Sequence, residues 1–241
     1  MKRLICSLTF FLACIILIQA RNYVVCVGIA NYPGKGNDLN LSVTDVNTIK
    51  SLYDKNGNAY IVSFINEQAT IDNVKSAIKK TFKKANKKDI ITFFFSGHGV
   101  PGFFICYDGV LKYNELASLM ARSKAKSKLV FADACYSGLA REKIQETNNT
   151  IEGSVLFFLS SRSDEVSIEK EWNWKNSLFT AFLDRGLRGG ADTNKDHVIT
   201  ARELFLFVSN GVANASREKQ HPVMWGRFSD DMPIMTWGKK K

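Results

Sequence analysis

One histidine and one cysteine follow two stretches that are predicted to be neighbouring strands. An apolar run over residues 90–95 leads into Ser-Gly-His-Gly, which contains His98, and a second run over 128–132 leads into Asp-Ala-Cys-Tyr-Ser-Gly, which contains Cys135. Short apolar runs that are rich in β-branched and aromatic residues and bounded by glycine are typical of buried parallel strands. Because ligands bind at the carboxyl ends of such strands, we expect His98 and Cys135 at one edge of a sheet.

This pair of residues predicts nucleophilic chemistry. A thiolate is the reactive form of cysteine, and a nearby histidine can generate it. Gly97 and Gly99 flank His98 and allow the backbone to approach a substrate closely. The backbone N–H groups of Gly99 and Cys135 are the candidate donors for a tetrahedral oxyanion. The alternative, a buried core thiol beside an ordinary loop histidine, is disfavoured because strand, turn and glycine positions all agree with a nucleophile.

The two turns resemble those of the caspase and metacaspase group of cysteine peptidases. Ser-Gly-His-Gly at 96–99 and Asp-Ala-Cys-Tyr-Ser-Gly at 133–138 carry the resemblance. Caspases proper have Gln-Ala-Cys, with the histidine about 50 residues upstream. This chain has Asp-Ala-Cys, with His98 37 positions before Cys135, and is therefore more similar to metacaspases and bacterial caspase-like proteins. Tyr136 departs from the metacaspase pattern, in which histidine usually follows the cysteine.

The resemblance implies a fold and a reaction. The expected fold is a three-layer α/β/α sandwich, caspase-like, with a mostly parallel sheet and helices on both faces, in one domain over residues 21–241. The repetition of strand, helix and strand along the chain independently favours a parallel sheet. The expected function is that of a cysteine-type endopeptidase, in which Cys135 attacks the peptide carbonyl and His98 moves protons. No third catalytic residue is evident, and no cofactor is required.

Three further residues are candidates for substrate binding. By resemblance, Asp45 on the first predicted helix lines the pocket for the substrate's P1 side chain, and Ser160 borders it. An acid near a helix start is also explained by the helix dipole alone. Asp133 precedes the nucleophile by two residues, and two carboxylates in one cleft repel each other unless a cation lies between them. Because arginine can bond a carboxylate bidentately, we expect cleavage after Arg or Lys.

A possible calcium loop lies near the C-terminal end of the chain. The segment 192–203 matches the EF-hand loop at positions 1, 3, 5 and 12 but has His197 where that loop has glycine. The alternative is a turn whose acids cap the helix that starts near Ala201. The candidate calcium ligands are Asp192, Asn194, Asp196, Val198 and Glu203.

The first twenty residues predict an export signal. Lys2 and Arg3 precede an apolar run over residues 4–18, and Ile-Gln-Ala at 18–20 is a cleavage site. The run is short for a membrane span, so an uncleaved anchor is disfavoured and no membrane contact is expected after cleavage. Cleavage takes the net charge from +10 to about +8 and leaves three cysteines, an odd number that fits a nucleophile better than a disulfide framework. The protein is expected in the periplasm or outside the cell.

The expected partner is a polypeptide substrate. The lysine-rich stretch 79–88 is interpreted as the solvated face of a helix, and no basic patch interleaved with aromatic residues predicts nucleic-acid binding. The sequence carries no signal for an oligomeric state. Arg141 and Lys143 lie in a polar segment close to Cys135 and are predicted sites of self-processing. The alternatives are a caspase-like pseudoenzyme that acts as a binding or scaffold module, and a related enzyme with legumain- or clostripain-like specificity.

Overall fold

The computed structural model describes residues 20–135, 155–162, 164–168 and 175–237. The predicted signal peptide and the predicted processing segment with Arg141 and Lys143 lie outside these ranges. Within the described ranges, no helix has both the length and the apolar character that a membrane crossing requires.

Eleven strands are found in the described part of the chain. The first six in chain order are β1 (Asn22–Gly28), β2 (Ala59–Ile65), β3 (Ile90–Ser96), β4 (Gly99–Val100), β5 (Phe103–Cys106) and β6 (Gly109–Lys112). The other five are β7 (Ser127–Asp133), β8 (Leu156–Leu159), β9 (Val198–Thr200), β10 (Val223–Trp225) and β11 (Pro233–Thr236). Six of them form the central sheet in the order β10-β8-β7-β3-β1-β2. All neighbours in this sheet are parallel except β10, which is antiparallel to β8. The expectation of a mostly parallel sheet is confirmed.

Helices cover both faces of the central sheet. In chain order, α1 to α5 are Ser42–Asn56, Ile71–Phe82, Tyr113–Ala121, Leu178–Arg185 and Ala201–Ala215. Alternate residues of β1 enter two different cores: Val25 packs into the core beneath α2 and α3, and Val24 into the core beneath α1, α4 and α5. Successive strand side chains point to opposite faces, so a strand that is buried on both sides separates two helical layers. This arrangement is the predicted three-layer sandwich.

The start of α2 follows directly from its sequence. The Thr70 hydroxyl accepts a hydrogen bond from the backbone N–H of Asn73 at 3.3 Å, which satisfies one of the donors that a helix start leaves without an intrahelical acceptor. Val74, Ile78 and Phe82 recur at intervals of four residues and are all buried. The sequence predicts a helix over residues 70–85 with Thr70 as its N-cap and these apolar residues as its buried stripe, and both features are confirmed.

The last strand of the sheet was not predicted. The sequence of residues 221–228 predicts a loop, but β10 pairs with β8 from Val223 to Trp225. The loop prediction is wrong because three residues between Pro222 and Gly226 show no periodicity, and only pairing with β8 makes them a strand. Gly226 then leaves the strand at φ 134°, where a Cβ atom would lie 2.3 Å from the Val155 carbonyl oxygen.

Two small sheets complete the fold. The sequence predicts a short hairpin over residues 101–109, and strands β4, β5 and β6 form an antiparallel meander there, directly after His98. Strands β9 and β11 pair antiparallel beside the start of α5. The meander matters for function because the backbone N–H of Ile105 donates to the carbonyl of His98 at 3.0 Å and so ties the histidine turn to the hairpin.

Candidate active site

The ends of β3 and β7 bring His98 and Cys135 to one cleft. The two strands are adjacent and parallel, and Ser96 lies opposite Asp133 in their register. The chain therefore turns out of both strands at the same edge of the sheet. A cleft of about 270 Å³ opens there, lined by Leu39, Ser42, Ser96, Gly97, His98, Asp133, Ala134, Cys135, Val166, Ser167 and Ser177. The structure thus brings both predicted catalytic residues and Asp133 together.

The imidazole of His98 is held by the loop that follows β1. Its Nε2 atom lies 2.8 Å from the backbone carbonyl oxygen of Asn37. A carbonyl only accepts hydrogen bonds, so Nε2 carries the proton and Nδ1 is the nitrogen that can accept one. Sequence reasoning found no third catalytic group, and a backbone carbonyl 61 residues upstream has no side-chain signature by which to find it.

Glycines allow the two catalytic turns to touch. A Cβ atom on Gly99 would lie 2.8 Å from the Cys135 carbonyl oxygen and 3.0 Å from the Ala134 side chain. The backbone N–H of Gly97 donates to the carbonyl of Asp133 at 3.1 Å. The two residues predicted to supply oxyanion donors, Gly99 and Cys135, are therefore neighbours in space.

Asp133 lies at the buried end of the cleft. One carboxylate oxygen accepts from the Ser167 hydroxyl at 2.5 Å, and the other accepts from the Thr180 hydroxyl and backbone N–H at 2.8 and 3.1 Å. Burial, followed by the negative charge of Asp45, raises the pKa of Asp133 to about 7, although these hydrogen bonds oppose the shift. A cation in the cleft would reverse that effect.

Asp45 lies behind the cleft wall in the first turn of α1. It is fully buried. Its carboxylate accepts hydrogen bonds from the Ser96 hydroxyl at 2.9 Å, from the Ser177 hydroxyl at 2.7 Å and from Asn176 at 3.0 Å. Burial raises the pKa of Asp45, and the hydrogen bonds lower it. Because Ser96 and Ser177 themselves line the cleft, the charge of Asp45 reaches it through two hydroxyl groups.

Both carboxylates are bonded by the N-terminus of α4, a feature that sequence reasoning missed. The backbone N–H of Ser177 donates to Asp45 at 3.0 Å, and that of Thr180 donates to Asp133 at 3.1 Å. The first N–H groups of a helix have no intrahelical acceptor and carry partial positive charge, so they favour anions. The sequence predicts a helix that starts at Ser177, but nothing in the sequence indicates which acids its N-terminus would meet.

Ser160 has a different position from the one expected. It is fully buried. Its hydroxyl accepts from the backbone N–H of Ala134 at 3.1 Å and donates to the Ala134 carbonyl at 3.0 Å. Ser160 therefore fixes the residue that precedes Cys135. A direct contact with substrate would require this hydroxyl to turn away from both of its backbone partners.

The predicted calcium loop is closed by its own hydrogen bonds. The Glu203 carboxylate accepts two bonds from Thr200 and two from Thr193, at 2.8–3.1 Å. Burial alone would raise the pKa of Glu203, but these hydrogen bonds outweigh it and lower that pKa. His197 adopts the left-handed conformation at φ 69° that the loop requires.

The fit of this loop to a cation is incomplete. One oxygen of Asp192 is buried and has no hydrogen-bond partner among the described residues. In the described part of the chain, however, no three His, Cys, Asp or Glu side chains converge closely enough to hold a metal ion. Calcium binding stays a prediction, because Glu203 would have to exchange its threonine donors for the ion.

The environments of the cysteines separate Cys135 from the other two. Burial raises the pKa of the Cys26 and Cys106 thiols to about 12, which keeps them protonated and unreactive. Cys135 is only half-buried, at the cleft. Among the described residues these three cysteines form no disulfide.

Comparisons with known proteins show the family and the fold of the chain. The caspase domain (peptidase C14) matches residues 21–232. Among solved structures, caspase-1 from Spodoptera frugiperda superposes with a TM-score of 0.69 at 15% identity, covering 92% of this chain and 93% of that one. Protein GSU0716 from Geobacter sulfurreducens superposes with a TM-score of 0.66 at 17% identity, covering 90% of this chain and 100% of that one. No curated protein matches the sequence.

Proposed function

Because the chain belongs to the caspase domain family, we propose that it is an active cysteine endopeptidase that cleaves peptide bonds after arginine or lysine. One observation carries the proposal: His98, Cys135 and Asp133 line the same cleft. A nucleophile, a base and an acidic specificity group at one strand edge are the parts that such a reaction requires.

The reaction begins with a proton transfer. The Cys135 thiol gives its proton to Nδ1 of His98, whose Nε2 proton is already committed to the Asn37 carbonyl. The sulfur attacks the peptide carbonyl carbon, and the backbone N–H groups of Gly99 and Cys135 stabilise the oxyanion. His98 then protonates the leaving amine as the C–N bond breaks. A water molecule, deprotonated by His98, attacks the remaining thioester and releases the acid product and the thiol.

The acidic end of the cleft accounts for a basic P1 residue. Asp133 carries its charge into the cleft directly, and Asp45 does so through Ser96 and Ser177. Burial, and after it the negative charge of Asp45, disfavours the ionised form of Asp133 and raises its pKa. A guanidinium or ammonium group relieves that repulsion, whereas an acidic P1 side chain would add a third negative charge.

Location and partners follow the same proposal. The protein acts outside the cytoplasm on a polypeptide after removal of residues 1–20, and it needs no cofactor for the chemical steps. Calcium, if it binds at the loop 192–203, would act on stability and not in the reaction.

Peptide reporters that end in Arg, Lys, Asn or Asp test the function. Wild-type protein should cleave the Arg and Lys reporters, and Cys135→Ala should cleave none. Asp133→Ala should lose the Arg reporter without gaining the Asp one. A protein that is labelled at Cys135 by a peptide electrophile but cleaves no reporter would be a binding module instead. A preference for Asn would move the specificity towards that of legumain-like enzymes.

A further inference from the structure

Tyr32 contacts His98 at two points. Its hydroxyl oxygen accepts a hydrogen bond from the backbone N–H of His98 at 2.8 Å. Its ring lies against the imidazole, with the ring centroids 4.7 Å apart. The same hydroxyl donates to the carbonyl oxygen of Ile105 on β5 at 3.1 Å. One side chain therefore joins the catalytic turn, the imidazole and the hairpin that follows.

The hydroxyl group matters more than the bulk of the ring. Tyr32 is buried, and phenylalanine would fill the same space equally well. Burial raises the pKa of Tyr32, so its hydroxyl keeps its proton and remains a donor to Ile105. Without that oxygen, the backbone N–H of His98 and the carbonyl of Ile105 would both lose a partner in a half-buried place.

Gly97, the residue before His98, leaves the space that this contact needs. A Cβ atom on Gly97 would lie 2.5 Å from the Tyr32 hydroxyl oxygen. Residue 97 therefore has to lack a side chain for the phenol to reach the backbone of His98. The Ser-Gly-His-Gly turn therefore needs glycine at position 97 for the contact with Tyr32, in addition to any need for substrate access.

We infer that Tyr32 is a positioning residue, which fixes both the backbone and the ring plane of His98 so that Nδ1 faces Cys135. The role rests on the proposed peptidase function. Tyr32 is outside the set of residues that line the cleft, so it acts through His98 and not on the substrate. Asn37 orients the imidazole through Nε2, while Tyr32 contacts the face of the ring and bonds the backbone N–H of His98.

Tyr32→Phe tests the inference, with Tyr113→Phe as the matched control. Tyr113 is also buried, but its hydroxyl has no hydrogen-bond partner among the described residues. Tyr32→Phe should lower kcat on an Arg reporter by about tenfold with KM unchanged, the size expected for one lost hydrogen bond at a catalytic group. Tyr113→Phe should leave both values unchanged.

Histidine NMR supplies a readout that does not depend on cleavage. The chain has three histidines, so ¹⁵N-histidine labelling gives the ring signals of three imidazoles. In Tyr32→Phe only the His98 signals should shift, whereas those of His197 and His221 should not. Alkylation of Cys135 by iodoacetamide should slow as well. If wild-type protein cleaves no peptide, the proposed function fails, while the NMR and alkylation data still decide the role of Tyr32.

Unchanged His98 signals together with wild-type kcat in a folded Tyr32→Phe would overturn the inference. If that variant does not fold, Gly97→Ala decides, because it displaces the phenol while keeping it present. A shift of the His98 signals together with slower alkylation of Cys135 in Gly97→Ala supports the role of Tyr32, and wild-type signals with a wild-type alkylation rate refute that role.

Discussion

The main chain of Cys135 lies so close to Gly99 that residue 99 has no room for a side chain. A Cβ atom there would stand 2.8 Å from the Cys135 carbonyl oxygen, which is backbone and cannot rotate aside. The histidine turn and the cysteine turn therefore pack directly against each other, and each contributes one of the proposed oxyanion donors.

Gly99→Ala should reduce kcat/KM by about 100-fold or more, the typical cost of removing one oxyanion donor. The added methyl group would push the two turns apart and displace that donor. Steady-state kinetics with an Arg reporter measure the loss, and a thermal melt verifies the fold. Val100→Ala, on an exposed residue next in the chain, is the control and should keep its activity. Activity of Gly99→Ala within a few-fold of wild type would contradict the oxyanion assignment.

The charge on Asp133 should make P1 selectivity depend on pH. Its pKa is raised to about 7, so the carboxyl group is protonated below that pH and negative above it. We expect the ratio of kcat/KM for an Arg reporter to that for its neutral isostere citrulline to rise as pH increases through about 7. The ratio isolates the P1 side chain because both substrates use the same dyad.

Asp133→Asn is the control for that measurement. Asparagine keeps the shape of the side chain and removes its charge, so the ratio should be low and flat across the same pH range. A wild-type ratio that does not change between pH 5 and pH 9, a range that brackets the raised pKa of Asp133, would rule out Asp133 as the residue that selects the cation.

The same shift predicts how stability depends on pH. A carboxyl group whose folded pKa is raised contributes stability that is fully present below its unfolded pKa of about 3.9. That contribution disappears as pH rises through the folded value of about 7. The free energy of unfolding of Asp133→Asn, relative to that of wild type, should therefore be higher at pH 8 than at pH 5. Urea melts of both proteins at these two pH values measure the difference.

Local sequence patterns predicted the parts of the fold that local chemistry determines. The cap at Thr70 and the apolar spacing of α2 are set by neighbours within one or two turns of the same helix, so they could be recognised from the sequence. The buried strands β3 and β7 could be recognised for the same reason, and with them the edge that holds His98 and Cys135. Strand β10 could not, since only pairing with β8 makes it a strand.

The support around the catalytic pair was not visible in the sequence. Asn37 acts through a backbone carbonyl, and Tyr32 through a hydroxyl 66 residues before its partner. Ser177 and Thr180 meet Asp45 and Asp133 only because α4 packs beside α1 and points its N-terminus at them. Long-range contacts of this kind depend on the packed fold, and no spacing along the chain encodes them.

Ser160→Ala separates support of the backbone from contact with substrate. The variant leaves the buried N–H of Ala134 without its acceptor, which should cost about 1–3 kcal/mol of stability. It should also lower kcat for Arg and Lys reporters by the same factor, because the displaced group precedes the nucleophile. Ser123 is another buried serine bonded to backbone, but it precedes the start of β7, whereas Cys135 follows the end of that strand; Ser123→Ala should cost stability without lowering kcat. A changed ratio between the Arg and Lys reporters would instead indicate that Ser160 contacts the P1 side chain.

The loop 192–203 offers a test that separates helix capping from calcium binding. Glu203→Gln replaces an acceptor oxygen by an NH₂ group that faces the threonine donors, and Thr200→Val removes the capping hydroxyl but keeps the carboxylate. Each should lower the free energy of unfolding by about 1 kcal/mol, or Tm by about 2–4 °C. Melts in chelator and in millimolar calcium measure both effects. If capping is the whole role, the two variants lose the same amount in either buffer. A wild-type Tm that rises with calcium, in Thr200→Val as well but not in Glu203→Gln, would show that Glu203 leaves its threonine donors to bind the ion.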